Sequence, residues 1–387
     1  MAQRSSCLEN RPLIKRLGFL WAGLDPSLSI ILVGLVLVGN IIFLSASSGT
    51  VVTWVEQARN LLMALVIMWV TSRIPVKWLE KIAVWVYTIG IILLIAVALF
   101  GLIKKGARRW LNIGVVIQPS EIMKIAMPLM LAWYFQKREE TMRFFDFIVA
   151  FIFLLLPTIL IARQPDLGTA ILVFAAGFYV ILLAGFPIKF VLPIFIIGII
   201  GIVLMIIFED QICARNVSWP ILKSYQQHRV CTLLDPFSDP LGKGFHTIQS
   251  MIAIGSGGFF GKGWKNGTQT HLDFIPEKHT DFIFAVYSEE FGLIGNTLLL
   301  ILFLLLIQRG LQISAGAPNL FTRLLGGSIT LIFFTYAFVN MAMVSGLLPV
   351  VGVPLPFISY GGTALTTLGL GVGLLMSIHR HRRLVQT

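Results

Sequence analysis

Apolar runs of roughly the 20 residues that cross a bilayer's hydrocarbon core recur about ten times along this chain, and few folds accommodate that. They lie near 27–46, 58–73, 82–102, 119–136, 145–163, 167–186, 189–208, 282–307, 322–346 and 357–378. In lipid every backbone polar group must find a partner within the protein, which restricts spanning segments to helices and closed barrels. Runs this long and this continuous read as helices. The expected fold class is therefore an all-α polytopic membrane protein with about ten transmembrane helices and one large extracytoplasmic loop. A composition of 57% hydrophobic against 12% charged residues excludes an ordinary soluble domain. No internal repeat and no low-complexity segment appears.

The charges sort by topology. Met1–Gly23 carries Arg4, Arg11, Lys15 and Arg16 without a long apolar core, so a cytoplasmic start is expected here rather than a removable signal peptide. With ten spans the tail at 379–387 is also cytoplasmic. The inner loops then hold Arg73, Lys77, Lys81, Lys137, Arg138, Arg143, Lys189, Arg309 and Arg323, as the positive-inside tendency requires. This accounts for much of the net charge of +12 without nucleic acid as a partner. The whole chain, 1–387, reads as one integral membrane domain: a cytoplasmic segment 1–26, an outer loop 209–281 and the cytoplasmic tail. Cys213 and Cys231 both fall in that loop, where an oxidising compartment could pair them, although spacing does not supply the geometry a disulfide needs. His246, His271 and His279 lack metal-ligand spacing.

The outer loop is the one long polar stretch. It runs through Gly244-Phe-His-Thr-Ile-Gln-Ser250 and Gly255-Ser-Gly-Gly-Phe-Phe-Gly-Lys-Gly263, then Pro276-Glu-Lys-His-Thr-Asp-Phe-Ile-Phe284, and carries Asp281 directly into an apolar run. Clustered glycines let backbone amides approach an anion, here beside the Lys262 ammonium, but a plain surface turn has the same composition. Neither a Walker loop nor a dinucleotide fingerprint is present.

Four further constellations stand out. Lys104, Lys105, Arg108 and Arg109 form a basic cluster on the outer side, followed by Trp110; they suit either an interfacial anchor or an anionic headgroup. Pro119 opens a helix that places Glu121 and Lys124 on one face. A lone charge at mid-bilayer costs roughly 2.5–3.5 kcal/mol on insertion scales, so this pair either neutralises itself or lines a polar cavity. Arg163-Gln-Pro-Asp166 marks a tight turn where Asp166 could cap a helix or face a site. Finally, Ser345–Gly362 is an apolar loop broken by three prolines, which reads as a wall around a cavity.

Taken together, these residues resemble the SEDS family (shape, elongation, division and sporulation proteins), and Val350-Val-Gly-Val-Pro-Leu-Pro356 is similar to its RodA branch more than to its FtsW branch. The resemblance covers nearly the whole chain. It implies a peptidoglycan glycosyltransferase polymerising lipid II into glycan strands during cell elongation. The site would be on the periplasmic face of the bacterial inner membrane, with a class B penicillin-binding protein and other elongation-complex membrane proteins as partners. It also implies that Asp281 is the essential aspartate, Trp110 a functional outer-loop residue and Glu121 with Lys124 a functional intramembrane pair. Residues 209–224 look like an insertion, and Phe245 stands where a tyrosine is frequent.

The implied chemistry suits these side chains. Asp281, flanked by Phe282, Ile283 and Phe284, is the candidate catalytic base, because apolar surroundings disfavour the charged carboxylate and move it toward a useful basicity. The candidate substrate-binding residues are Arg108, Arg109, Trp110, Glu121, Lys124, Arg229, Lys262, Glu277, His279 and Thr280. Of these, Lys262, Arg109 and Arg229 are candidates for stabilising a departing pyrophosphate, and a divalent cation such as Mg2+ could assist. A lipid II flippase and a non-catalytic scaffold stay open as alternatives. The polar residues gather at one side, which favours the polymerase.

Overall fold

The computed structural model describes residues 24–47, 51–104, 107–112, 114, 116–213, 224–238, 244–271 and 278–385. Glu277 and Trp219 lie outside the described residues, and so do the side chains of Arg108 and Arg229. Ten long helices account for the ten apolar runs. They are α1 (Pro26–Ala46), α2 (Val51–Thr71), α3 (Val76–Phe100), α4 (Pro119–Lys137), α5 (Phe144–Arg163), α6 (Leu167–Leu183), α7 (Ile188–Ile207), α12 (Ile283–Ala315), α13 (Leu320–Val344) and α14 (Gly362–Val385). Among the described residues, seven of these are long and apolar enough to span a membrane by length and composition alone. The chain is a multi-pass membrane protein.

Local chemistry sets several helix starts. Asp25 caps α1, its carboxylate accepting from Leu28 N at 3.0 Å with Pro26 in the first turn, and Asn319 with Thr322 forms a capping box on α13. The α2 helix begins well before its apolar run at 58. The turn carrying Glu56, Gln57, Arg59 and Asn60 is helical, and Gln57 and Asn60 are buried. Buried amides on a spanning helix point to a polar interior next to them.

Helices α13 and α14 are the most enclosed, with 78% and 72% of their spanning windows buried. Around them α14 packs on α2, α12 on α13 and α1, and α4 on α3, α6 and α13. In contrast, α7 buries no residue, and its isoleucine-rich surface suits a lipid environment.

Two features between the spans had no counterpart in the apolar pattern. A small antiparallel meander, β1 (Leu102–Lys104), β2 (Ala107–Asn112) and β3 (Val116–Ile117), leads into α4, with Trp110 opposite Leu102 and Arg108 opposite Ile103. The large loop forms short helices α8 (Glu209–Ile212), α9 (Ser224–Leu234), α10 (Gly244–Ser256) and α11 (Thr268–His271). Cys213 and Cys231 are joined as a disulfide with Cα atoms 5.7 Å apart, tying the end of α8 to α9.

The glycine-rich loop packs its backbone against α12. Helix α12 breaks at Gly292, whose backbone is left-handed in φ at 61°. A break at membrane depth frees backbone groups that lipid cannot satisfy. The loop supplies the partners: Lys262 N donates to Glu289 O and Gly263 N to Glu290 O, both at 3.0 Å, while Leu293 N and Ile294 N donate to Gly258 O and Phe259 O. A side chain on Gly257 or Gly261 would overlap the carbonyls of Ser288 or Glu290, so these glycines serve close backbone approach.

Candidate functional site

A polar cavity of about 460 Å3 opens where β2, α4, α6, the turn before α12, the Val350–Pro354 segment and α14 converge. Arg109, Glu121, Lys124, Thr280 and Asp281 all line it, so one space gathers five of the residues singled out from sequence. Asp166, Gln118 and Tyr360 join them.

The intramembrane pair is built by α4. Lys124, 3% exposed, places Nζ 2.6 Å from Glu121 Oε1 and donates to the Tyr336 hydroxyl at 2.6 Å. The other Glu121 oxygen accepts from Thr367 Oγ1 at 3.1 Å. Mutual neutralisation and cavity lining are therefore both realised, and the pair knits α4 to α13 and α14. Asp166 likewise does two things: it caps α6 through Thr169 N at 3.3 Å and accepts from Gln118 Nε2 at 3.0 Å across the cavity wall. Arg109 Nη1 is 3.8 Å from Asp166 Oδ1, and its Nη2 donates to Pro165 O. The guanidinium is one-third exposed, which leaves it a face toward the cavity.

Asp281 stands one residue before the N-cap of α12, a position taken by Phe282, which has no capping side chain. His279 holds the adjacent wall through its carbonyl, which accepts from Tyr360 N at 2.9 Å, and its ring meets the Tyr360 ring edge-on at 6.0 Å. The Tyr360 hydroxyl donates to Glu56 Oε2 at 2.8 Å; burial, together with this carboxylate, holds the phenol above its ordinary value. Trp110 is half-buried on β2 outside the cavity lining.

Lys262 lies apart from these residues. Its ammonium is 2.7 Å from Glu289 Oε1, a fully buried carboxylate that also accepts from Thr268 Oγ1 and Gln269 N. It anchors the glycine loop to α12 and lies outside the lining of the Asp281 cavity.

A second, apolar groove of about 480 Å3 runs between α2, α3, α4 and α14 and shares Gln118, Glu121 and Thr363 with the polar cavity. Sequence reading left Asp166 open between a cap and a site residue, and it missed Glu56, Tyr336 and Thr367. The available signal was polar side chains at helical spacing inside apolar runs, such as Tyr336 with Asn340 and Thr363 with Thr367. As for a metal, no group of three or more His, Cys, Asp or Glu residues that could hold one occurs among the described residues. Glu121 and Asp166 are engaged by Lys124, Gln118 and Arg109. The residues present do not fit a protein-built metal cage.

Comparisons with known proteins place the chain in a family. A family model for FtsW, RodA and SpoVE, described as "Cell cycle protein", matches residues 26–384. The chain is 48% identical over 364 residues to "Peptidoglycan glycosyltransferase MrdB" of Escherichia coli (strain K12), covering 94% of this chain and 95% of that protein. A chain solved in work described as "Structural coordination of polymerization and crosslinking by a peptidoglycan synthase complex" matches with a TM-score of 0.76 at 32% identity, covering 94% of this chain and 99% of that one. The rod shape determining protein RodA of Thermus thermophilus matches with a TM-score of 0.67 at 26% identity, covering 94% and 98%. A family match over residues 26–384, with 48% identity to a relative across 94% of the chain, means that this chain belongs to the FtsW/RodA/SpoVE family.

Proposed function

We propose that the chain is a peptidoglycan glycosyltransferase that polymerises lipid II into glycan strands during cell elongation and rod-shape maintenance. The observation that carries this reading is the adjacency of the two spaces at Glu121: an apolar groove suited to a polyprenyl chain shares its Gln118, Glu121 and Thr363 wall with a polar cavity lined by Asp281. A saccharide on a lipid pyrophosphate has that polarity order. The name of the E. coli relative supports the same activity.

In this mechanism the Asp281 carboxylate takes the proton from an acceptor sugar hydroxyl as its oxygen bonds to the donor's anomeric carbon. The bond from that carbon to the polyprenyl pyrophosphate breaks, and the leaving group departs as an anion. Arg109 faces the same space and stabilises that charge, while Lys124, held by Glu121 and Tyr336, keeps a fixed positive charge in the wall. Thr280 and Gln118 supply hydroxyl and amide contacts to the saccharide. No step is routed through a divalent cation.

The basic residues of the loops opposite the Asp281 end support cytoplasmic termini and a site on the periplasmic face of the bacterial inner membrane. The synthase complex that gives a solved relative supports a class B penicillin-binding protein as partner, whose crosslinking would follow strand synthesis.

Purified chain supplied with lipid II, with and without a class B partner, should yield glycan strands that lengthen with time. Movement of lipid II across vesicle membranes without any strand formation would replace this reading with a flippase.

A further inference from the structure

Asn340, on α13, is completely buried one turn beyond Tyr336. Its Nδ2 donates to Asp281 O at 2.9 Å and to Val353 O at 2.7 Å. Both partners are carbonyls, so only the amide nitrogen can face them and the orientation of the side chain is fixed by chemistry. Its Oδ1 is buried with no hydrogen-bond partner among the described residues. An orphaned buried acceptor is a cost that an apolar side chain of the same shape would avoid. The amide is therefore kept for what its nitrogen does.

Those two hydrogen bonds join the segments that flank the carboxylate. Asp281 lies in a turn, outside α12, so the helix ladder does not set its backbone. Opposite it, the Val350–Pro354 wall turns at Gly352, with φ at 74°. A Cβ on Gly352 would lie 3.3 Å from Asp281 Oδ2, so the wall reaches the carboxylate with only backbone between them. One amide thus fixes the separation between the base and the wall it works against.

We infer that Asn340 is a positioning residue for the reaction, holding Asp281 and the Gly352–Val353 backbone at the spacing that presents the carboxylate to the acceptor hydroxyl. This rests on the reading of Asp281 as the general base. Displacing a catalytic group by about an ångström costs up to roughly 100-fold in rate.

The test compares Asn340→Ala with Asn340→Ser in the full-length protein, reading melting temperature together with kcat and KM for lipid II. The two replacements leave nearly the same cavity, but serine keeps one donor. The expected result is a kcat per folded molecule lowered by roughly 10- to 100-fold in Asn340→Ala with KM little changed, and partly restored in Asn340→Ser at a similar melting temperature. Equal kcat in the two variants, or a kcat matching the parent once folded protein is counted, overturns the inference and leaves Asn340 a packing residue. Asp281→Asn run alongside separates the two levels. If that variant loses synthesis while Asn340→Ala keeps its kcat, only the positioning role fails; if Asp281→Asn stays active, the general-base reading fails as well.

Discussion

Glu121 and Lys124 share one face of α4 with the Lys124 ammonium 2.6 Å from Glu121 Oε1, and Glu121 is common to the linings of the polar cavity and the apolar groove. The pair thus sits where a lipid tail would give way to its headgroup. Cancelling charge in the bundle and offering charge to a ligand are two readings of the pair that separate experimentally.

If cancellation dominates stability, Lys124→Met should lower the melting temperature more than Glu121→Gln combined with Lys124→Met. The single change strands a carboxylate, and removing one partner of a buried pair costs about 3–5 kcal/mol. Strand synthesis should remain low in the double variant, because the cavity has then lost both groups. Equal melting temperatures for the single and double variants would dissociate the two residues.

A parallel prediction applies to Lys262 and Glu289. Lys262→Met should destabilise the protein by about 3 kcal/mol, toward the low end of the range for broken buried pairs since Lys262 keeps some solvent contact, and Glu289→Gln in addition should recover part of that loss. KM for lipid II among folded molecules should stay near the parent value. A large rise in KM at unchanged melting temperature would return Lys262 to the substrate.

The contrast between these pairs explains what could be read from the sequence. Most of the long helices were legible because length and apolarity mark segments that can cross a bilayer, and seven of the ten meet that measure among the described residues. The start of α2 was not, because Glu56 meets Tyr360, Asn60 meets Gly362 and Gln57 is buried, and an inward polar face looks like a loop in a hydropathy profile. Glu121 with Lys124 could be found as a pair, since their spacing is local. Tyr336 and Asp166 could not be placed beside them, because Lys124 meets Tyr336 across 212 positions and Gln118 meets Asp166 across 48. The pairing of Lys262 with Glu289 was not legible, because a run of glycines has the same local appearance whether its amides face an anion or another stretch of backbone.

At the opposite end of the bundle, Asp25 is bound by Arg309 through two hydrogen bonds of 2.7 and 2.8 Å, with His379 Nε2 at 3.5 Å, which links α1, α12 and α14. Burial alone would raise this carboxyl, but the Arg309 and Leu28 hydrogen bonds and the neighbouring charges hold it below its ordinary value. A depressed folded-state value gives stability that is fully present above the unfolded value near 3.9 and is lost as pH falls through the folded one. Asp25→Asn keeps the helix cap, so its melting temperature should fall at pH 7 and respond less to acidification below about pH 4. A melting temperature at pH 7 equal to the parent's would show that the Arg309 pair contributes nothing.

The sharpest prediction concerns Asp281 itself. Its position just before the N-cap of α12 allows a purely structural part, accepting amide hydrogen bonds at the helix entrance, and its place in the polar cavity allows a chemical one. Asparagine accepts such hydrogen bonds about as well as aspartate, so a structural part predicts that Asp281→Asn folds and synthesises strands near normally. A general base predicts the same folding with synthesis lowered by roughly 10²–10⁴-fold, since an amide cannot take the acceptor hydroxyl's proton. The measurement is strand synthesis per folded molecule at saturating lipid II, with melting temperature as the control. Because Asn340 holds the backbone of residue 281 and not its carboxylate, the substitution leaves that anchor in place, and a loss of synthesis belongs to the missing base. Near-parental synthesis by a well-folded Asp281→Asn protein would remove Asp281 from the chemistry and, with it, the proposed mechanism.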